Sequence, residues 1–178
     1  MGLLKRRILR WSILAVVLAA GGLSLAWMNQ EQYRFGGGWV GGHPGFVWNC
    51  TQIPTDPAGR TEAVRVEPLM WGADIAGLLS AFGADHLTSA IGEGRMISND
   101  TGKWTLFAYA QKTGNPAVTT AVLSYSGTWK FTSHDTAVIQ YMVTVYPISA
   151  DGFSPDMTTI LYGPTPIITD NVKRVPIL

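Results

Sequence analysis

A single cysteine, Cys50, is all the thiol this 178-residue chain contains, so no internal disulfide can brace it and stability has to come from packing. Charge is also scarce, at 14% of residues against roughly 25% in an average soluble protein. The formal net charge of +1 conceals an uneven distribution. Lys5, Arg6, Arg7 and Arg10 precede the first acid, and without them nine basic residues face twelve acidic ones, a balance of −3. A domain of that sign has no cationic surface with which to displace counterions from a nucleic acid, which argues against DNA or RNA as a partner. Metal signatures are missing too. His43, His86 and His134 lie far apart, with no H-x-x-x-H or C-x-x-C beside them, so neither a metal nor a cofactor is implied. There is no G-x-S-x-G elbow. The glycine clusters Gly36-Gly37-Gly38 and Gly92-Glu93-Gly94 lack the Lys and following helix of a phosphate loop. Carboxylates such as Glu62 and Glu67, or Asp151 and Asp156, are spaced as chance alone would space them. The sequence therefore assigns no catalytic residue.

One long hydrophobic run is present. Trp11 to Met28 carries no charge and ends at Asn29-Gln30-Glu31-Gln32. As a helix rising about 1.5 Å per residue it would span about 27 Å, close to the hydrocarbon thickness of a bilayer. Basic residues before it and none directly after it place the N-terminus in the cytoplasm and export the rest. Residues 1–10 read as a cytoplasmic basic region, 11–28 as a signal-anchor or signal peptide helix, 29–36 as a linker, and 37–178 as an extracytoplasmic domain. Trp11 and Trp27 at the ends of the run favour a retained anchor. Ser24 and Ala26 offer a cleavage site after Ala26, in which case the domain is secreted.

From Phe35 onward, short runs rich in Val, Thr, Trp and Tyr alternate with Gly, Pro, Asn and Asp clusters about every ten residues, the pattern of an all-β barrel or strongly curved antiparallel sheet of about eight strands. Thr120–Thr132 is the clearest strand. Ala121, Leu123, Tyr125, Gly127, Trp129 and Phe131 share one parity and polar residues hold the other, with Val122 the exception. Ser133-His134-Asp135 reads as a turn into a second strand, Thr136–Tyr146, ended by Pro147. Weaker strands are expected at Gly38–Trp48, Glu62–Leu69, Leu87–Ile97, Lys103–Gln111, Thr158–Tyr162 and Ile167–Val175. Ile75, Leu78, Leu79 and Phe82 fall on one helical face and predict a short helix over Ala73–Phe82, with Gly83 placed to stop it. Ile53–Gly59 and Ala150–Asp156 read as loops. Asn49-Cys50-Thr51 and Asn99-Asp100-Thr101 match the N-glycosylation pattern, which matters only in a eukaryotic secretory route.

The stretches Gly94-Arg95-Met96, Ser124-Tyr125-Ser126-Gly127-Thr128-Trp129-Lys130-Phe131 and Val145-Tyr146-Pro147 resemble those of bacterial lipocalin-like domains, and Gly37-Gly38-Trp39 resembles the G-x-W that opens many lipocalins. The resemblance spans about half of the exported domain. It implies a small up-and-down barrel with an apolar cup able to hold a ligand, and it brings no catalytic residue. The insert Asp56–Phe82 departs from a simple meander.

The aromatic residues are the most informative feature. Trp39, Trp48, Trp71, Trp104, Tyr109, Tyr125, Trp129 and Tyr141 either fill the core or line an open apolar cavity or partner surface. All of these except Trp71 form the candidate ligand or partner surface. Three functions follow: a membrane-anchored or exported non-enzymatic β module that binds an apolar small molecule or lipid, an accessory subunit docking on a larger membrane complex, or, in third place, an enzyme of unrecognised type.

Overall fold

The computed structural model describes residues 36–114 and 117–175. The expected basic region, membrane or signal helix and nearly all of the linker lie outside them, and among the described residues no helix is long and apolar enough to cross a membrane.

Alternating burial organises everything that follows. Among the described residues the strands are β1 (Gly37–His43), β2 (Phe46–Pro54), β3 (Thr61–Trp71), β4 (His86–Leu87), β5 (Ala90–Met96), β6 (Thr101–Lys112), β7 (Val118–Phe131), β8 (Thr136–Tyr146) and β9 (Ile168–Arg174), with one helix, α1 (Ala73–Ala81), between β3 and β4. All pairings are antiparallel. Each long strand pairs with the next in the chain, β3 pairs with β5, and β9 returns to β1, so eight strands close into an up-and-down barrel with β4 as a short addition on β6. Closure pairs every strand of the barrel on both sides, so no edge strand is left. In β8 the apolar parity Ala137, Ile139, Tyr141, Val143 and Val145 is buried throughout, as the sequence predicts.

The turns are built from the residue types that favour them. Asp56 ends β2 by accepting hydrogen bonds from Arg60 N, Thr61 N and Thr61 Oγ1, and these bonds hold its carboxyl below the ordinary range. Thr132 and Ser133 donate backbone N–H groups to Thr136 O at the β7–β8 turn. One end of the barrel is sealed by Trp39, which meets Trp129 edge-on at 5.1 Å and lies 4.4 Å under the Arg174 guanidinium. Arg174 Nη1 also donates to Gly36 O at 2.7 Å, tying the last strand to the first. At the other end α1 sets Leu79 into the core, with Ile75, Leu78 and Phe82 packed against it.

Three strand expectations are corrected. Leu87–Ile97 is broken at Thr88-Ser89 into β4, which ends at Leu87, and β5, which begins at Ala90. Gly38–Trp48 is not one strand: Pro44 and Gly45, the latter at φ 90°, fold it into the β1–β2 hairpin, and β2 continues to Pro54 through residues expected to be loop. Thr158–Tyr162 is not a strand, and only Tyr162 bridges to Val145. The β8 edge beyond Tyr141 is covered by a few contacts of the 161–165 segment, among them Leu161 N to Val145 O and Thr165 N to Val143 O. That is too short a ladder for a ninth staff. The insert Asp56–Phe82 also leaves the meander intact, since it supplies a turn, β3 and α1 without changing strand order.

Candidate functional site

The inward parity of the strands encloses an apolar cavity whose volume open to the centre of a water-sized sphere is about 50 Å³. That is several times the roughly 10–15 Å³ that a single water needs. Phe46, Trp48, Trp104, Tyr125, Trp129 and Tyr141 supply its aromatic wall, completed by aliphatic groups such as Val64, Leu87, Leu106 and Ile139. Nearly all of this lining is hydrocarbon. The exceptions are the informative part.

Glu62 and Gln52 face this cavity, each only 2% exposed. Glu62 stands one residue into β3, on the parity of Val64 and Val66, and Gln52 occupies the parity of Phe46, Trp48 and Cys50 on β2. The register explains how a carboxyl fits there. Glu62 pairs with Gly94, Gly94 with Trp104, Trp104 with Gly127, and Gly127 with Tyr141, so large and absent side chains alternate around one row of the barrel. A Cβ on Gly94 would meet the Glu62 side chain, with Cγ at 2.9 Å. A Cβ on Gly127 would lie 2.8 Å from Tyr141 Cα. The Trp104 and Tyr141 rings meet at 5.8 Å across that glycine.

Four side-chain atoms of this lining are buried with no hydrogen-bond partner: Gln52 Nε2, Glu62 Oε2, Trp104 Nε1 and Trp129 Nε1. Gln52 is oriented by its other end, where Oε1 accepts from Gly36 N at 3.4 Å. A buried donor or acceptor left unpaired costs about 1–3 kcal/mol, so four in one cavity is a heavy concentration. Burial pushes the Glu62 carboxyl up to about 9, which makes it an uncharged acid at neutral pH. Burial, and then the nearness of Glu62, raises the Cys50 thiol far above its ordinary range. Such a thiol is an inert core group.

A second polar cluster borders the same space. Asp170, fully buried on β9, accepts a hydrogen bond from Trp48 Nε1 at 2.7 Å and one from Tyr141 Oη at 3.3 Å, while His43 Nδ1 lies 2.6 Å from its other oxygen. The His43 side chain remains 34% exposed. Burial and the Asp170 charge together raise the Tyr141 phenol, and burial alone raises that of Tyr125. These contacts link β1, β2, β8 and β9 through one carboxyl group. Among the described residues no group of three or more His, Cys, Asp and Glu side chains is arranged to hold a metal ion.

Of the seven aromatic residues singled out in the sequence, Trp48, Trp104, Tyr125, Trp129 and Tyr141 meet around the cavity. Trp39 is fully buried outside its lining, behind Trp129 and Phe131. Tyr109 has the opposite parity on β6 and directs its hydroxyl to Phe153 O at 3.1 Å. Sequence reasoning missed Gln52 and Asp170, set Glu62 aside as a carboxylate placed by chance, and gave His43 no role. The available signal was a polar residue standing on the apolar parity of its strand. The chain matches no protein-family model, no curated protein and no solved structure.

Proposed function

We propose that this chain is a membrane-anchored or exported, non-enzymatic β-barrel module that binds an apolar small molecule or a lipid chain inside its barrel, with the domain outside the cytoplasm. The observation that carries this reading is the cavity itself, with an aromatic and aliphatic wall and with polar atoms that the protein leaves unpaired. A core selected only for stability avoids such atoms. The lipocalin-like motifs in the sequence agree with this reading, as does the closed up-and-down barrel. The membrane segment rests on the apolar run 11–28 and the export route on the basic residues Lys5, Arg6, Arg7 and Arg10 before it. A non-enzymatic role is supported by the way the His43–Asp170 pair is employed. The Asp170 carboxyl is engaged by Trp48, Tyr141 and His43 and serves to join strands.

A docking role on a larger membrane complex has its own observation. The β8–β9 connection holds Phe153, Ile160 and Ile167 exposed at 78%, 55% and 65%. Native mass spectrometry of the full-length protein, extracted mildly from its own cells, separates the readings. A retained small molecule of defined mass supports ligand binding. A retained protein partner on a barrel free of small molecules supports docking and overturns it.

A further inference from the structure

We propose that the polar side of this cavity selects ligands whose apolar body carries an uncharged oxygen acceptor, a carbonyl or protonated carboxyl group, received by Gln52, Trp104, Trp129 and Glu62. The inference rests on the reading of the barrel interior as a ligand site and names the chemistry that site takes. Its basis is an inventory of what the unpaired atoms can do. Gln52 Nε2, Trp104 Nε1 and Trp129 Nε1 are donors with no acceptor. An indole nitrogen can only donate, and the Gln52 amide is fixed with its nitrogen free because its oxygen receives Gly36 N. Glu62 Oε2 is the fourth, and as an uncharged acid Glu62 donates as well.

The four residues line one cavity from three adjacent rows of the barrel. Trp104 is in the row of Glu62 and Gly94, Gln52 is in the adjoining row with Val64, Gly92 and Leu106, and Trp129 is in the row on the other side with Gly102 and Ile139. An oxygen acceptor has two lone pairs for these donors. An alkyl group satisfies none of them. An ammonium group adds donors where donors already exceed acceptors, although the aromatic wall and an ionised Glu62 would otherwise suit it. A bare anion would have to be stripped of water without any cation in the lining. The uncharged acceptor alone adds neither a donor nor a charge, and its two lone pairs can receive two of the unpaired donors.

A matched set of four-heavy-atom probes, sized to a cavity of about 50 Å³, tests this on the full-length protein at pH 7: acetone, isobutane and isopropylamine, which share a branched carbon skeleton and differ in the polarity of one group. Binding is read by NMR shifts of the indole N–H signals. Acetone should bind about tenfold more tightly than isobutane or the amine, as one or two hydrogen bonds in a dry site would give. Trp104→Phe, which keeps an aromatic ring and deletes one N–H, should weaken acetone about threefold or more and leave isobutane unchanged. Equal binding of all three probes, or tightest binding of the amine, overturns the acceptor selectivity while the ligand-binding barrel stands. Failure of every probe to bind overturns both.

Discussion

Two carboxyl groups are buried in the same barrel, and their surroundings are opposite. Asp170 is met by an indole N–H, a phenol and an imidazole, so its burial is repaid by hydrogen bonds that span four strands. Glu62 is as deeply buried, lies beside a glycine that makes room for it, and has an oxygen with no partner at all. Protein interiors rarely tolerate the second situation. The contrast teaches that one polar group holds the barrel together while the other is kept despite its cost to folding. Groups of that second kind are where binding is to be sought.

The largest effect should come from breaking the satisfied side. Asp170→Ala leaves the Trp48 indole and the Tyr141 hydroxyl without their acceptor and should destabilise the protein by about 2–6 kcal/mol, measured by urea denaturation. The opposite sign is expected on the other side. Glu62→Leu removes an unpaired oxygen and should be neutral or stabilise by about 1–3 kcal/mol at pH 8. A loss as large as that of Asp170→Ala would abolish the contrast. The pH dependence sharpens it further. Because the Glu62 carboxyl is raised from 4.5 to about 9 in the folded protein, the unfolded chain releases this proton first. Its contribution to stability is complete below about 4.5 and declines as pH rises to about 9. In Glu62→Leu this decline should disappear.

An effect no larger than that of Glu62→Leu concerns the glycine. Gly94→Ala should cost about 1–3 kcal/mol, because the new methyl meets the Glu62 carboxyl group, and Glu62→Ala should remove most of that cost in the double variant. Gly127→Ala is the control. Its methyl would meet backbone at residues 140 and 141, so Glu62→Ala should not relieve it.

The same contrast shows what the sequence discloses. β8 runs over Thr136–Tyr146 as its alternation predicts and the short helix begins at Ala73, since in both the apolar period is unbroken and local, whereas β7 runs over Val118–Phe131 with Val122 and Ser124 of its expected wet face buried as well. The β1–β2 hairpin is obscured because Gly41 and Gly42 blur the alternation on one side of the Pro44-Gly45 turn. Thr158–Tyr162 has a strand's composition, and only the closed pairing of the barrel shows that it lacks a long enough edge to join. The aromatic wall is legible because large rings on an inward parity have few other places to go.

Glu62 and Asp170 are not legible in the same way. Each is a lone acid in a strand, and its meaning depends on partners far along the chain: His43 is 127 residues from Asp170, and Gly94 reaches Glu62 only through the β3–β5 ladder. No local period carries that information.

The account turns on Glu62 being uncharged and unpaired within the barrel. A carbon-13 NMR titration of its side-chain carboxyl in the full-length protein, assigned with Glu62→Gln, measures this directly. The midpoint should fall near 9, and a midpoint at the ordinary 4.5 would show a solvated carboxylate and contradict the account.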